Sequence, residues 1–437
     1  MRISWPSSKL ESIRRAGRPT ARSAWREPEA SRPPRIAGPQ RSGGAELACG
    51  PERRCSPLFR RLGQAVFLAF FGFVSIWCGA ETPGSSAAPK KGRGYLYSND
   101  RVPEVPWSIH IVKIDRPRDD FELVTTLGQD QVLGLATLTS QIKTLPPDLG
   151  RPIAAINGDF YRTENEPYSG DPRGLAVVRG ELVSAPAGTV CFWVDTGREP
   201  RMAEVASGFK VTWPNGETSA FGLNEELRGK PAALYTPRLG ASTLTSGVRE
   251  FILEREGTNS WLPLAVGETY RARVREIREA GNSPLASNIM VLAVSRQLAS
   301  RLSGVAAGAV LKISTATTPD LRGIKTAIGG GPLLVENGKV QKPVTNKAMD
   351  RHPRSALGWN QKHLFLVEVD GRQNGLSVGM NLRELAEYMA KLGCEFAMNL
   401  DGGGSSELWV DGQVMNSPCY HRERPTATGL VLIQKRK

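Results

Sequence analysis

Histidine and cysteine are scarce in this chain, which has four and six of them among 437 residues. The cysteines follow no metal-knuckle spacing and none lies in a nucleophile signature, so neither a dedicated zinc site nor cysteine catalysis is expected. No Gly-Lys-Ser follows a glycine run, and the glycine turn at 402–404 precedes a strand, which excludes Walker and dinucleotide fingerprints. We therefore expect no cofactor and no metal, except Ca²⁺ or Mg²⁺ held loosely by Asp and Asn loops.

Positive charge is also scarce outside one segment, although the formal net charge is +14. Residues 1–61 contain 14 Arg or Lys and five Glu, which leaves a net charge of only +5 for the other 376 residues. A nucleic-acid-binding domain would need a basic face on folded structure. The sequence therefore predicts no nucleic-acid partner, and residues 1–60, rich in Arg, Pro and Gly, are predicted to be a disordered basic tail.

An apolar run of 14 residues, 65–78, follows two arginines. It is short for a membrane span, which takes about 20 residues, and it fits a secretory signal or an N-terminal anchor over 61–80. Residues 81–104 are predicted to be a linker. The protein is therefore expected to be exported, with membrane contact only through this segment. The exported part keeps Cys191, Cys394 and Cys419, which allows one disulfide and a free thiol or three buried thiols; the oligomeric state stays open.

Alternating apolar and polar residues predict many strands from residue 105 onward, among them 108–114, 250–254, 270–274 and 310–314. Four dipeptides, Arg179-Gly180, Asn215-Gly216, Asn337-Gly338 and Asp411-Gly412, lie between apolar runs and predict tight hairpins. We therefore expect one large strand-rich domain of mixed α/β class over 105–437.

The C-terminal stretch predicts a βαβ unit. A strand at 363–369 is followed by a helix that Asn381 caps and Gly393 closes, and then by a strand at 394–400. Ligands bind beyond the carboxyl ends of the strands in such units. This places Asp370, Asn399 and Asp401 near one crevice.

Glycine-dense loops carry the candidate functional residues. Glycine lets backbone N–H groups approach an anion closely, and two of the loops also carry Asp and Asn after a strand. Arg354 offers a fork for phosphate or carboxylate. The candidate catalytic residues are Asp159, Asp401, Arg354 and Asp370; the candidate substrate-binding residues are Asn157, Tyr161, Gly329, Gly330, Gly331, Arg372, Asn399, Gly402, Gly403, Gly404, Ser405 and Ser406.

Six motifs together resemble the phosphodiester glycosidase family over about residues 105–435. They are 157–161 (NGDFY), 234–237 (LYTP) with 243–245 (TLT), 328–335 (IGGGPLLV), 354–358 (RSALG), 369–372 (VDGR) with 377–386 (SVGMNLRELA), and 399–406 (NLDGGGSS). The resemblance implies hydrolysis of a sugar C1–O–phosphate bond, in which N-acetylglucosamine is the family's sugar. We expect an envelope or extracellular glycan as the substrate.

The resemblance implies roles without fixing all of them. Asp159 or Asp401 would activate water or act as nucleophile, and Asn157 and Asn399 would orient sugar hydroxyls. Arg354 and the glycine N–H groups would stabilise the leaving phosphate. Two other hypotheses remain open at this point: a metal-assisted phosphodiesterase that cuts P–O through Asp159, Asp370 and Asp401, and a non-catalytic glycan-binding module.

Overall fold

A computed structural model describes residues 90–163, 168–258, 260–342 and 350–436. The predicted tail at 1–60, the signal or anchor at 61–80 and linker residues 81–89 lie outside these ranges. Among the described residues, no helix is both long and apolar enough to cross a membrane.

The described chain consists mainly of strands. In chain order they are β1 (Lys91–Gly92), β2 (Tyr95–Val102), β3 (Trp107–Asp115), β4 (Phe121–Leu127), β5 (Arg151–Asn157), β6 (Ala176–Val178), β7 (Glu181–Ser184), β8 (Val190–Val194), β9 (Pro200–Glu204), β10 (Ala206–Ser207), β11 (Lys210–Thr212), β12 (Thr218–Leu223), β13 (Ala232–Tyr235), β14 (Arg249–Arg255), β15 (Thr269–Arg278), β16 (Met290–Val294), β17 (Val310–Ser314), β18 (Thr317–Thr318), β19 (Thr326–Gly329), β20 (Leu333–Glu336), β21 (Lys339–Val340), β22 (Arg354–Trp359), β23 (His363–Val369), β24 (Phe396–Asn399), β25 (Leu408–Val410), β26 (Gln413–Val414) and β27 (Thr428–Gln434). The α-helices are α1 (Leu138–Lys143), α2 (Arg296–Arg301) and α3 (Leu382–Lys391). The strand-rich prediction is confirmed, but the α/β class is wrong, because the domain is mainly β with few helices.

Two sheets pack face to face around one core. The first has the order β1-β2-β3-β23-β22-β24-β20-β21, and the second has the order β26-β25-β5-β27-β4. Side chains such as Val112, Leu366 and Met398 of the first sheet meet Ile156 and Leu430 of the second. Helix α3 covers the outer face of the first sheet and α1 that of the second.

A closed barrel occupies residues 210–314. Its strands follow the order β11-β12-β13-β16-β14-β15-β17, and the core it contributes to includes Phe251, Leu292 and Ile313. A third sheet, β7-β6-β19-β8-β9, adds Phe192 and Ile328 to the core between the two large sheets. The strands predicted within the barrel are confirmed, but local periodicity did not indicate that they close into a barrel.

The predicted βαβ unit exists in a split form. Strands β23 and β24 run parallel, but β22 lies between them and pairs antiparallel with both. The predicted cap is present: the Asn381 side chain accepts from the Glu384 N–H, and the Glu384 side chain accepts from the Asn381 N–H. The carboxyl ends of β23 and β24 therefore still share one edge of the sheet.

The predicted linker is too long. Residues 95–102 form β2, which pairs along its whole length with β3, and both Tyr95 and Tyr97 are buried in the core. The folded unit therefore includes residues upstream of 105. The hairpins at Arg179, Asn337 and Asp411 have two-residue turns with positive φ, whereas Asn215 lies in a longer connection between β11 and β12.

Candidate active site

Asp159 lies two residues after the end of β5 and is only 4% exposed. Its Oδ1 accepts a hydrogen bond from the Phe160 N–H at 2.7 Å, and its Oδ2 accepts one from the Gly174 N–H at 2.7 Å. Burial raises the pKa of Asp159 from 3.8 to about 7, against the lowering effect of the two N–H groups, and the nearby Asp401 raises it further. Asp159 can therefore exchange a proton near neutral pH.

Asp401 follows β24 of the first sheet and lies near Asp159, which follows β5 of the facing second sheet. Its N–H donates to the Gly158 carbonyl at 3.0 Å, which ties the two loops together. Burial raises the pKa of Asp401, whereas Ser405, the Gly402 N–H and two arginines, Arg424 and Arg173, lower it. The structure thus brings together the two acids that sequence predicted.

The glycines of the site allow close packing. A Cβ on Gly329 would lie 2.3 Å from Asp159 Oδ2, and one on Gly174 would lie 2.8 Å from the same atom. A Cβ on Gly330 would lie 2.7 Å from the Asn399 carbonyl oxygen. Glycine is therefore needed here to let two backbones flank a buried carboxylate.

Four of the predicted anion-binding N–H groups form hydrogen bonds within the protein. The N–H groups of Gly330 and Gly331 donate to the carbonyls of Val190 and Asn399. Those of Gly402 and Gly403 donate to Asp401 Oδ1 and the Pro353 carbonyl. These four donors have acceptors within the protein, and their expected role toward the leaving phosphate stays a prediction. Gly404 lies against the ring of Tyr420.

The two asparagines form hydrogen bonds within the scaffold of the site. Asn157 is fully buried: its Nδ2 donates to the Asp401 carbonyl at 2.8 Å, and its Oδ1 accepts from the Ser355 hydroxyl at 2.6 Å. Asn399, also buried, donates through Nδ2 to the Gly331 and Leu400 carbonyls. Asn399 Oδ1 has no hydrogen-bond partner among the described residues, and the expected contact of the two amides with sugar hydroxyls stays a prediction.

Arg354 and Arg372 lie beside the glycine loop. Arg354 donates to the carbonyls of Met380 and Asp350, both at 3.0 Å. The guanidinium of Arg372 lies beside Gly403, and its Nη2 is 3.2 Å from His352 Nδ1. Arg354 thus has structural contacts, and its role toward phosphate stays a prediction.

Asp370 is in a different, buried environment. Its Oδ2 lies 2.9 Å from His110 Nε2, and its Oδ1 accepts from the Ser417 N–H at 2.7 Å. Glu368 is beside this pair, and the three side chains place ligand atoms within 4.8 Å of one another. Sequence spacing predicted no such cluster, because His110 is on β3 and far along the chain from β23. The alternative ligand set of Asp159, Asp370 and Asp401 is not the group that the described residues bring together.

Sequence reasoning missed three residues at the site. Arg173 lowers the pKa of both Asp159 and Asp401, and Arg424 lowers that of Asp401. Arg424 also lies over the ring of Tyr161, whose hydroxyl donates to the Pro425 carbonyl. Tyr420, 56% exposed, borders the glycine loop. The only sequence feature near these residues is the run of charges at 421–424, and nothing in the sequence connects it with residue 159.

The predicted residues Ser405 and Ser406 are buried in the glycine loop.

The three cysteines of the described region are free, so the disulfide alternative is wrong. Cys191 and Cys394 are buried, and burial raises the pKa of each thiol to about 12. Cys419 is only partly buried. The expectation of three buried thiols therefore holds for two of them.

Comparison with known proteins agrees with the motifs. The sequence profile of the phosphodiester glycosidase family matches residues 266–433. This segment therefore resembles the phosphodiester glycosidase domain. This segment includes Arg354 and Asp401, whereas Asp159 and Arg173 lie upstream of it and are placed at the site by the fold.

Two relatives are N-acetylglucosamine-1-phosphodiester alpha-N-acetylglucosaminidases. The bovine and human enzymes are 39% and 38% identical over 69 residues, which is 16% of this chain. That segment spans 13% of either enzyme's length. A prophage-derived uncharacterized protein of Bacillus subtilis is 30% identical over 115 residues, 25% of this chain and 18% of its own.

Solved structures show the same fold at low sequence identity. A hypothetical protein from Synechocystis aligns with a TM-score of 0.63 at 20% identity, covering 78% of this chain and 62% of its own. A protein from Burkholderia pseudomallei aligns with a TM-score of 0.57 at 21% identity, covering 75% and 74%. The likeness therefore extends well beyond the segment that the family profile matches.

Proposed function

We propose that this protein hydrolyses a sugar-1-phosphodiester by breaking the bond between sugar C1 and the phosphate oxygen. The observation that carries the proposal is the pair Asp159 and Asp401, whose pKa values are both raised by burial and lowered by Arg173. Glycoside cleavage commonly uses two carboxyl groups, one protonated and one charged, across the scissile bond. The charge of Asp401 raises the pKa of Asp159, so a protonated Asp159 beside a charged Asp401 is the arrangement that we expect to meet this requirement.

The leaving group makes the chemistry less demanding than for an ordinary glycoside. A departing phosphate monoester has a second pKa of about 6, so it needs little protonation. The oxygen of water bonds to C1, the C1–O bond breaks with its electron pair going to phosphate, and one carboxylate takes the proton from water. Arg173 and Arg424, next to the acids, supply positive charge for the leaving phosphate.

The rim of the site suits a sugar. The exposed ring of Tyr420 lies against the glycine loop, and aromatic side chains commonly line small-molecule sites. The guanidinium of Arg372 is beside the same loop. N-acetylglucosamine is the sugar to test first, because the bovine and human relatives act on an N-acetylglucosamine-1-phosphodiester. An envelope or extracellular glycan as the natural substrate, and export through residues 61–80, are part of the same proposal.

The test is hydrolysis of an N-acetylglucosamine-1-phosphodiester by the full-length protein in ¹⁸O-labelled water. Cleavage at C1 puts the label on the sugar, and this is the expected result. Label on the phosphate would show P–O cleavage and overturn the proposal. Binding without turnover, unchanged in Asp401→Asn, would identify a glycan-binding module instead.

A further inference from the structure

The strongest feature outside the carboxylate pair is the group of His110, Glu368 and Asp370. His110 is on β3, Glu368 is directly opposite it on the paired strand β23, and Asp370 follows that strand. All three are buried, and one ligand atom from each lies within 4.8 Å of the others. One imidazole nitrogen and two carboxylate oxygens are ligands that Zn²⁺ accepts in proteins.

Within the described chain, Glu368 lacks the partner that a buried carboxylate requires. It is 0% exposed, and neither of its carboxylate oxygens has a hydrogen-bond partner among the described residues. A buried carboxyl group without partners is costly, and a bound cation removes that cost.

The neighbours of the group are arranged as metal ligands require. The Tyr97 hydroxyl lies 2.8 Å from His110 Nδ1, so it fixes the ring with Nε2 toward Asp370. The Ser417 N–H holds the other oxygen of Asp370 at 2.7 Å. Metal-binding histidines and carboxylates usually have such second partners. A histidine that binds a metal through Nε2 carries its proton on Nδ1, and Nδ1 of His110 is the atom that faces the Tyr97 oxygen.

We propose that His110, Glu368 and Asp370 form a buried binding site for a divalent transition-metal ion of the Zn²⁺ type. The site is next to the candidate active site but separate from its acids. Ser355, opposite Glu368 across β22 and β23, donates to Asn157, whose Nδ2 holds the Asp401 carbonyl. The ion is therefore structural: it stabilises the sheet edge that carries the Asp401 loop.

The experiment is titration of chelator-treated full-length protein with Zn²⁺ alone, followed by calorimetry and by melting temperature. We expect one ion per chain and a melting temperature that rises with Zn²⁺ concentration. Glu368→Gln removes the charge but keeps the shape, and it should weaken binding at least about tenfold, the lower end of losses at metal sites. Glu336→Gln, at an exposed position on β20, is the matched control and should bind as wild type does.

Equal Zn²⁺ affinity in wild type and Glu368→Gln, or no binding to the folded wild-type protein, would overturn the proposal. If Glu368→Gln does not fold, Co²⁺ bound to wild-type protein decides the question by its absorption spectrum. Visible bands of nitrogen and oxygen ligation support the site, whereas a thiolate charge-transfer band would place the ion on a cysteine and refute it. None of these measurements depends on hydrolysis, so the site and the proposed activity fail or stand separately.

Discussion

Asp159→Asn separates the effect of the Asp159 charge from the rest of the structure. In the native protein burial holds the pKa of Asp159 at about 7 rather than 3.8. Between these pH values the native state binds more protons than the unfolded chain, so stability falls as pH rises through this window. At about 1.4 kcal/mol per pKa unit, the free energy of unfolding of the wild-type protein falls by about 4 kcal/mol between pH 4 and 8. The variant has no carboxyl group at this position, so it does not show this decrease.

The substitution Asp159→Asn also lowers the free energy of unfolding by an amount that does not depend on pH. The two oxygens of Asp159 each accept one backbone N–H, and Asn has only one oxygen, so one donor loses its acceptor. A buried donor left without a partner costs about 1–3 kcal/mol at every pH. We therefore expect the variant to be less stable than wild type at pH 4 and to gain relative stability steadily toward pH 8.

Urea unfolding of both proteins at five pH values from 4 to 8 measures this difference. Asp148→Asn, at an exposed position, is the matched control and should follow wild type throughout. Parallel stability curves for wild type and Asp159→Asn would refute the reasoning, because Asp159 would then titrate alike in the native and unfolded states. Activity measured on the same samples should be lost in Asp159→Asn at all pH values.

Three further substitutions test the site. Asp401→Asn should lower kcat by at least about 10²-fold with little change in melting temperature, since it removes a proton acceptor; a lower melting temperature with near-normal kcat would exclude Asp401 from the chemistry. Gly329→Ala should lower kcat and stability, because the new Cβ would lie 2.3 Å from Asp159 Oδ2, whereas Gly304→Ala, with open space around it, should behave as wild type in both measurements. Arg354→Lys should lower kcat/KM by an amount equivalent to about 1–3 kcal/mol, because Lys lacks the planar fork; unchanged kinetics would show that Arg354 is not the phosphate anchor.

Local sequence patterns were sufficient for most individual elements. The strand at 363–369 has the predicted bounds, and Asn381 caps α3 as expected. These features depend on residues a few positions apart, whose spacing decides which face is apolar and which group can cap a helix end. Two of the predicted Asp-bearing turns also lie close together in the structure, and their role as the site stays a prediction.

The roles within those loops required the structure. Asn157 was expected to face a sugar, yet the fold buries it between Ser355 and the Asp401 carbonyl. Sequence can identify an amide in a loop, but it does not show which distant groups satisfy its hydrogen bonds. The linker error at 95–102 has the same origin, since the partner strand β3 is what makes those residues a strand.

By itself, the sequence determined the elements, their caps and the identity of Asp159 and Asp401 as the acids of interest. Only the tertiary structure decided that β22 separates β23 from β24, that residues 210–314 close into a barrel, and that the charge of Arg173 lowers the pKa of both acids. The physical reason is range: periodicity and capping act within a few residues, whereas strand order, burial and pKa values depend on side chains brought together from distant parts of the chain.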